Sequence, residues 1–308
     1  MLKELHKAHE SRIKASEDDP IRYGFNLPGW ERIKEGLQQY NECLVLGGNR
    51  SGKTTGFAKI VMEAVTESND GHLVCFSQNE DTSIKVQQAA IWEMMPKEFK
   101  KKTKSIEGYI NYSMQNGFTA KSFIFPDTRT RVDFKTYTQF SNNQTILEGF
   151  EFGFPDAKGL NIGAWLDEYL GDASLVNTLR FRLATRDAKM GVGFTPIDGY
   201  TPFVAEYLKD VETLQTRRGV LIDKDVPIKQ YSPSRDASVV YMHSDENPFG
   251  GYERIAKDLR GRPEEEILVR AYGIPVKSMT SLLPLFNTEV NVLNEEPNKY
   301  GMSFPDIS

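Results

Sequence analysis

The sequence predicts an α/β fold with a mainly parallel sheet flanked by helices. A short apolar run, "CLVLG", ends at Gly47, and good helix formers follow from Lys53 to Ser68. A second apolar run, "HLVCFSQ" from His72, is followed by a helical pattern from Glu80 to Met95, which Pro96 ends. Strands that alternate with helices in this way form parallel sheets, so these observations predict the fold class.

An approach segment of about 40 residues precedes the first strand. It contains a charged amphipathic helix, "MLKELHKAHESRIK", then the irregular stretch "SEDDPIRYGFNLPG", and then a short helical pattern from Trp30 to Gln39. The charged start does not have the pattern of a signal peptide, and no apolar run of about 18 residues predicts a membrane span.

The composition is that of a globular protein with 39% hydrophobic and 26% charged residues among 308. The net charge of −5 excludes a generally basic protein, so any contact with nucleic acid has to be local. Cys43 and Cys75 lie in apolar runs without CxxC spacing, and the four histidines form no ligand pattern. We therefore expect a reducing compartment and no zinc site.

The loop after the first strand matches the pattern GxxxxGK(S/T) from Gly47 to Thr54. Its glycines allow a tight bend that points successive backbone N–H groups at phosphate oxygens, and the N-terminus of the next helix adds positive potential. We expect Lys53 to reach the β- and γ-phosphates of a nucleotide and the Thr54 hydroxyl to bind Mg²⁺. The predicted nucleotide-binding residues are Gly47, Gly48, Asn49, Arg50, Ser51, Gly52, Lys53, Thr54 and Thr55.

Short extended pieces separated by turns fill the chain between Tyr109 and Tyr137. The pieces "YINYSM", "KSFIF" and "TRVDFKTY" predict antiparallel strands at an edge of the sheet or inserted in it.

A further apolar strand, in "IGAWLDEYL", ends in Asp167 and Glu168. The magnesium of a phosphate-loop site is held from the end of an adjacent strand, which makes Asp167 the expected outer-shell holder of the metal. Glu168 can orient an attacking water or accept its proton. Because a small-molecule kinase has to exclude water, this pair favours ATP hydrolysis.

After a helical pattern around Ala173 to Ala184, "GVGFTP" predicts one more apolar strand, which ends in Thr195. ATPases and helicases of the additional-strand class keep a polar residue here that senses the γ-phosphate. Thr195 has this role, or it merely ends a strand before Pro196, and the sequence leaves both readings open.

Three stretches resemble, in order, the ATPase domain of the large terminase subunit of tailed bacteriophages. They are "LGGNRSGKTTGFA", "AWLDEYL" with the helix and strand that follow it, and "HSDENPFGGYERIAKDLRGRPEEEILVRAYGIPV", which together span roughly residues 40 to 280. The resemblance implies a P-loop NTPase fold of the additional-strand type with a small lid subdomain, and ATP and Mg²⁺ as ligands. It also implies that Glu168 is the catalytic carboxylate and that Thr195 belongs to the coupling motif.

The resemblance further implies a motor that moves double-stranded viral DNA into a procapsid. Its expected partners are DNA bound without sequence preference, a portal protein, a small terminase subunit and further copies in a ring, expected to be a pentamer, with a monomer in isolation and no membrane. The expected location is the host cytoplasm, with transient docking on the procapsid. The expected domains are an N-terminal adenine-side segment (1–40), an ATPase core (41–215), a lid (216–280) and a linker (281–308) towards a nuclease domain that this chain lacks, so we predict no nuclease activity.

Such motors complete their site with an arginine finger from a neighbouring subunit. Arg180 and Arg182 are preferred because they follow the acidic pair on one helix. The sequence leaves other candidates open, namely Arg50 acting in cis, Arg129, Arg131, Arg186 and Lys158.

Two more features have a functional and a structural interpretation. The lysines of "PKEFKKKTK" (96–104) either hold a DNA backbone without reading bases or form a solvated surface. Tyr23, Phe25 and Trp30 could stack on adenine while Gln38 or Gln39 reads its edge, although we expect at least two of the three aromatics to be core residues. Two other functions also stay open, a helicase-like ATPase that remodels nucleic acid and an ATP-dependent assembly module with little turnover.

Overall fold

The computed structural model describes residues 2–101, 108–168, 173–199, 201–208, 229–232 and 236–276. Its strands are β1 (Glu42–Gly47), β2 (His72–Ser77), β3 (Lys100–Lys101), β4 (Ile110–Ser113), β5 (Gly117–Phe118), β6 (Ser122–Ile124), β7 (Arg131–Thr136), β8 (Ile162–Asp167), β9 (Lys189–Phe194), β10 (Lys229–Ser232) and β11 (Ala237–Met242).

The helices are α1 (Leu2–Asp18), α2 (Pro20–Tyr23), α3 (Pro28–Gln39), α4 (Lys53–Glu67), α5 (Glu80–Thr82), α6 (Ala89–Met94), α7 (Tyr137–Asn142), α8 (Ala173–Ala184), α9 (Pro202–Leu208), α10 (Gly251–Leu259) and α11 (Glu264–Ile267). A π-helical stretch, Ser83–Gln88, joins α5 to α6, and a second one, Leu268–Tyr272, follows α11. The helix predicted from residue 80 to 95 is therefore confirmed, with a wider turn in its middle. None of the described helices combines the length and the apolar character needed to cross a bilayer.

The described strands of the central sheet have the order β10-β11-β1-β9-β8-β2-β7-β6. All neighbours from β11 to β7 pair in parallel, whereas β10 and β6 run antiparallel at the two edges. β9 lies between β1, which leads into the glycine-rich loop, and β8, which ends in the acidic pair. This inserted strand is the arrangement that the additional-strand prediction requires.

Alternate residues of the inner strands enter two separate cores, so both faces of the sheet are covered. Cys43 and Val45 of β1 pack towards α3, α4 and α6, whereas Leu44 and Leu46 pack towards α8, α9 and α10. A strand with two buried faces has no polar alternation, which explains why β1 is a continuous apolar run.

The prediction of antiparallel strands between residues 109 and 137 was partly wrong. β4 and β5 pair antiparallel outside the main sheet, and β6 is an antiparallel edge strand, as expected. β7, however, pairs in parallel with β2 over six residues, from His72 with Arg131 to Ser77 with Thr136. Phe134 and Val132 of β7 are buried among core residues, so the strand continues the parallel sheet.

Part of the range predicted as a lid belongs to the central sheet. β11 pairs with β1 in parallel, from Glu42 with Ala237 to Gly47 with Met242. Ile255 and Leu259 of α10 are buried in the same core as β1. The run "ASVVYM" is apolar enough to form a fully buried strand, so this part of the expected lid (216–280) lies in the central sheet, and the domain boundaries stay a prediction. Most of residues 209–235 and all of the predicted linker 281–308 lie outside the described residues.

Candidate nucleotide-binding and catalytic site

The predicted site residues meet at the carboxyl ends of β1, β8 and β9. The loop that follows β1 bends through two left-handed residues, Arg50 with φ of 58° and Gly52 with φ of 89°. Gly52 is the N-cap of α4, and no side chain caps this helix. In the described part of the chain, the N–H groups of Gly52, Lys53 and Thr54 have no acceptor. Unpaired N–H groups at a helix N-terminus attract an anion, as the sequence predicts.

Close packing within the loop explains two of its glycines. A Cβ at Gly47 would lie 2.9 Å from Lys53 Cδ and 2.8 Å from Ser51 Oγ, so the stem of Lys53 runs directly over this residue. A Cβ at Gly48 would lie 2.2 Å from the carbonyl oxygen of Ala271. The Ser51 hydroxyl is buried and has no hydrogen-bond partner among the described residues. A phosphate oxygen in the loop would supply that partner, which fits the predicted ligand.

Lys53 links the loop to both other strands of the site. Its ammonium donates to Thr195 Oγ1 at 2.9 Å and lies 3.2 Å from Glu168 Oε1. Lys53 is only 7% exposed, and Thr195 is equally buried. The Thr195 hydroxyl therefore lies where the γ-phosphate of a nucleotide would approach Lys53.

Thr54 and Asp167 present oxygen atoms to each other. The Thr54 hydroxyl is 3.3 Å and 3.4 Å from the two carboxylate oxygens of Asp167. Burial, together with the charge of Glu168, raises the pKa of Asp167 to about 7 against the opposing effects of Lys53 and Thr54. A hydroxyl beside a carboxylate is an oxygen pair that suits Mg²⁺, and the charge of the cation would favour the ionised carboxylate.

Glu168 has a strained backbone and a half-exposed side chain. Its φ is 49°, a left-handed conformation that a residue with a Cβ rarely adopts. The Glu168 N–H donates to the Gly193 carbonyl at 2.7 Å, and Tyr137 donates from its hydroxyl to the Asp167 carbonyl at 2.8 Å. Both bonds are made by the single peptide unit that joins Asp167 to Glu168, so they hold this unit in place and offset the strain.

The preferred arginine-finger candidates lie away from this site. Arg180 donates to Glu42 Oε2 from Nη2 at 2.9 Å, and the hydrogen bond to Glu42 raises the Arg180 pKa. Glu42 is the first residue of β1, at the edge of the sheet opposite the loop. Arg182 is in the last turn of the same helix, and its carbonyl accepts from the Phe152 N–H at 3.1 Å. A role for either arginine in a neighbouring subunit stays a prediction, and the pairing of Arg180 with Glu42 counts against it.

The remaining basic candidates are Arg50 on the loop and four residues with contacts outside the site. Arg50 is exposed on the loop itself. Three of the others pair with acidic or carbonyl groups outside the site, and Lys158 donates its backbone N–H to Ser68 at the far end of α4. These three are Arg129, Arg131 and Arg186.

We expected at least two of the aromatic residues Tyr23, Phe25 and Trp30 to be core residues. This expectation was wrong, because only one of the three is buried. Trp30 is 4% exposed, and its indole N–H donates to the Gly52 carbonyl at 2.9 Å, so it supports the loop. Tyr23 and Phe25 are exposed. The Phe25 ring lies 5.4 Å from the Trp30 ring and 4.4 Å from the ring of Phe249, which is also exposed. The sequence did not indicate Phe249, since it is more than 220 residues from Phe25.

Gln38 and Gln39 do not reach the nucleotide site. They are exposed at the last turn of α3, whose first turn carries Trp30 beside the loop. A helix of this length extends about 18 Å, which places both glutamines near the opposite edge of the sheet. This position counts against the possibility that one of them reads the adenine edge, which stays a prediction.

Each described lysine of the 96–104 run has a neighbouring side chain that it contacts. Lys97 pairs with Asp18 at 2.9 Å. Lys100 Nζ lies 5.4 Å from the Trp92 ring, and burial lowers the pKa of Lys100 to about 8. Lys101 lies 5.0 Å from the ring of Tyr109. Lys102 and Lys104 are outside the described residues, and a contact of this run with DNA stays a prediction.

Together, the loop after β1, the acidic end of β8 and the inserted strand β9 define a P-loop NTPase fold of the additional-strand class. No protein-family model matches the sequence, and no curated protein sequence matches it. Solved structures with a similar fold include the ATPase domain of the large terminase of Thermus phage P74-26, at 14% identity and a TM-score of 0.49. That similarity covers 79% of this chain and 93% of that domain.

Two structures of the large terminase of a thermophilic bacteriophage are also similar, and one of them is in complex with ADP. Both have 15% identity, with TM-scores of 0.45 and 0.40. Each match covers 60% of this chain but only 43% and 42% of the terminase chains, so this chain spans less than half of their length. The resemblance noted in the sequence is confirmed as a likeness in fold.

Proposed function

We propose that the chain is a Mg²⁺-dependent ATPase in which Glu168 activates the attacking water. The observation that supports this proposal best is the position of Lys53, which contacts Thr195 at 2.9 Å and Glu168 at 3.2 Å. These three residues come from three separate segments of the sequence. Their convergence above a loop with unpaired N–H groups is the constellation that phosphate binding and water activation need.

Each residue has a distinct part in this proposal. Lys53 neutralises charge on the β- and γ-phosphates, and the Thr195 hydroxyl donates to the terminal phosphate once Lys53 turns towards that phosphate. Glu168 then loses its ion pair with Lys53 and becomes free to accept a proton from water. Mg²⁺, held by Thr54 and Asp167, would supply charge neutralisation at the phosphate oxygens.

For the adenine base, we propose stacking on Phe25. Phe25 is 51% exposed and lies against Trp30, whose indole is bonded to the phosphate loop. Because the exposed Phe25 ring is linked to the loop through Trp30, it can stack on the base while the phosphates accept hydrogen bonds from the N–H groups of the loop.

The biological role that we propose is packaging of double-stranded viral DNA into a procapsid. The ordered sequence resemblance to terminase ATPase domains supports this role. The partners that go with it are DNA, a portal protein, a small terminase subunit and further copies of this chain in a ring, all in the host cytoplasm. An arginine supplied by a neighbouring copy would complete each site.

Two other functions remain to be separated from this one by experiment. A helicase-like ATPase would remodel nucleic acid without a portal, and an assembly module would bind ATP but hardly turn it over. The position of Glu168 beside Lys53 favours turnover over the assembly module.

Phosphate release with and without Mg²⁺ tests the enzymatic part, with Lys53→Ala as the variant that should lose nucleotide binding. Copurification with a portal ring, or movement of duplex DNA into a shell, tests the motor. Nucleotide binding without phosphate release would favour the assembly module. Turnover that responds to nucleic acid but never to a portal would favour the helicase-like function.

A further inference from the structure

The backbone carbonyls of the phosphate loop are bonded to residues far away in the sequence. Ser244 donates from its hydroxyl to the Asn49 carbonyl, and Asn247 donates from its side-chain amide to the Arg50 carbonyl at 2.7 Å. On the other side of the loop, Trp30 donates to the Gly52 carbonyl at 2.9 Å. Three carbonyls of the loop, those of Asn49, Arg50 and Gly52, thus accept hydrogen bonds from side chains outside it.

This pattern matters because a peptide unit is planar, so its N–H and C=O groups point in opposite directions. The Asn49 carbonyl that Ser244 holds shares its peptide unit with the Arg50 N–H, and the Arg50 carbonyl that Asn247 holds shares its peptide unit with the Ser51 N–H, which donates to the Gly48 carbonyl at 3.2 Å. The outer donors therefore hold the closed turn of the loop that leads into the unpaired N–H groups of Gly52, Lys53 and Thr54. Held in this way, the loop keeps its inward N–H groups in place before any anion arrives. Preorganisation of this kind raises affinity because less ordering is left to occur on binding.

The residues that supply two of these donors belong to one segment, residues 243–251, which we call the docking segment. His243 anchors its start through a contact of 3.0 Å between Nδ1 and the Tyr272 carbonyl. Glu246 pairs with Arg32 of α3, and Asn247 also accepts from the Phe249 N–H at 3.0 Å. These contacts hold the docking segment in place independently of its contacts with the loop.

Close packing confirms that loop and docking segment fit without spare room. A Cβ at Gly251 would lie 3.1 Å from the Arg50 carbonyl oxygen and 2.1 Å from that of Ser244. A Cβ at Gly48 would lie 2.8 Å from Ser244 Oγ. A displacement of the docking segment would thus act directly on the loop.

We propose that Ser244 and Asn247 are positioning residues for phosphate binding, which act by holding the Asn49 and Arg50 carbonyls outwards. The inference rests on the proposed nucleotide-binding function and extends it to a segment that lies about 200 residues from the loop. It also means that the docking segment sets the affinity for the di- and triphosphate of the nucleotide, without contacting the nucleotide itself.

The test compares Asn247→Ala with a matched control, Asn161→Ala. Asn161 has the same two-sided bonding, since its amide donates to the Arg186 carbonyl at 2.6 Å and its Oδ1 accepts from the Phe154 N–H at 2.9 Å. Asn161 directly precedes β8, at the opposite edge of the sheet from the phosphate loop. Both variants lose the same kind of contact, so a general loss of stability affects both.

The measurements are the dissociation constant of magnesium ADP, the turnover of ATP at saturation and the midpoint of thermal unfolding. We expect Asn247→Ala to weaken ADP binding about fivefold to tenfold, the size of one hydrogen bond, with turnover at saturation within about threefold of the parent. Asn161→Ala should lower the unfolding midpoint but leave ADP affinity unchanged. Ser244→Ala, measured in the same way, serves as the second variant.

Unchanged ADP affinity in both Asn247→Ala and Ser244→Ala would overturn the inference, provided that Lys53→Ala abolishes binding. An equal loss of affinity in Asn161→Ala would also overturn it, because the effect would then come from general destabilisation. A parent protein that binds no ADP or ATP would overturn the proposed function itself, which keeps the two failures distinguishable.

Discussion

Replacement of Glu168 by Gln tests the proposed chemistry most directly. The change keeps the shape of the side chain and removes its charge, so Lys53 loses an ion-pair partner at 3.2 Å. The Glu168 side chain is 37% exposed, and the net contribution of such a pair to folding is below about 1 kcal/mol. Loss of a general base lowers the rate by a factor of about 100 to 10,000, which corresponds to about 3 to 5 kcal/mol in the barrier. The effect on turnover should therefore far exceed the effect on stability.

Single-turnover phosphate release and a nucleotide-binding titration measure the two effects separately. ATP binding should be retained or slightly stronger. In the parent, Lys53 has to give up its ion pair with the Glu168 carboxylate when it binds phosphate, and in the variant it does not. Glu151→Gln is the matched control, since Glu151 is half-exposed and lies 3.7 Å from Arg186 outside the site. Phosphate release at the parental rate in Glu168→Gln would refute the assignment of the base.

Three further predictions follow from the same site. Gly48→Ala should weaken nucleotide binding by about 10- to 100-fold, because its Cβ meets the Ala271 carbonyl at 2.2 Å and the loop has to shift by about 1 Å. In a binding titration, Gly159→Ala should have almost no effect, since its Cβ meets only the flexible end of Glu67 at 2.4 Å. The specific ATPase rate should rise with protein concentration if the arginine finger acts in trans, whereas fast turnover by a strict monomer would point to Arg50 in cis. Supercoiled plasmid incubated with this chain and Mg²⁺ or Mn²⁺ should stay intact on a gel, and linearisation that depends on an acidic residue of the chain would contradict the prediction of no nuclease activity.

The core of the site could be predicted from the sequence because its signals are local. The glycines that bend the loop, the lysine that begins α4 and the carboxylates that end β8 each lie within a few residues of the strand that positions them. Apolar runs bounded by turns indicated β1, β8 and β9, and the carboxyl ends of parallel strands meet at one edge of a sheet. The convergence of Lys53, Glu168 and Thr195 follows from that geometry.

Other expectations could not be decided from the sequence because the deciding contacts join residues that are distant in it. Arg180 was preferred because it follows the acidic pair on one helix, but α8 places it beside Glu42 at the far end of β1, which counts against a role that stays a prediction. The same holds for Gln39, which is at the far end of α3. The strand β7 was expected to be antiparallel because its pattern alone does not reveal that its neighbour is β2.

The sequence by itself determined the order of strands and helices, the phosphate loop and the chemical types of the residues around it. Only the tertiary structure decided which side chains hold that loop in shape. The sequence drew attention to Trp30 and to the stretch that contains Ser244 and Asn247, but nothing in it indicates that these side chains bond to the carbonyls of the loop. Their role arises because a loop that turns its N–H groups towards an anion exposes its carbonyls on the other side, and donors for those carbonyls come from whichever segments the fold packs there.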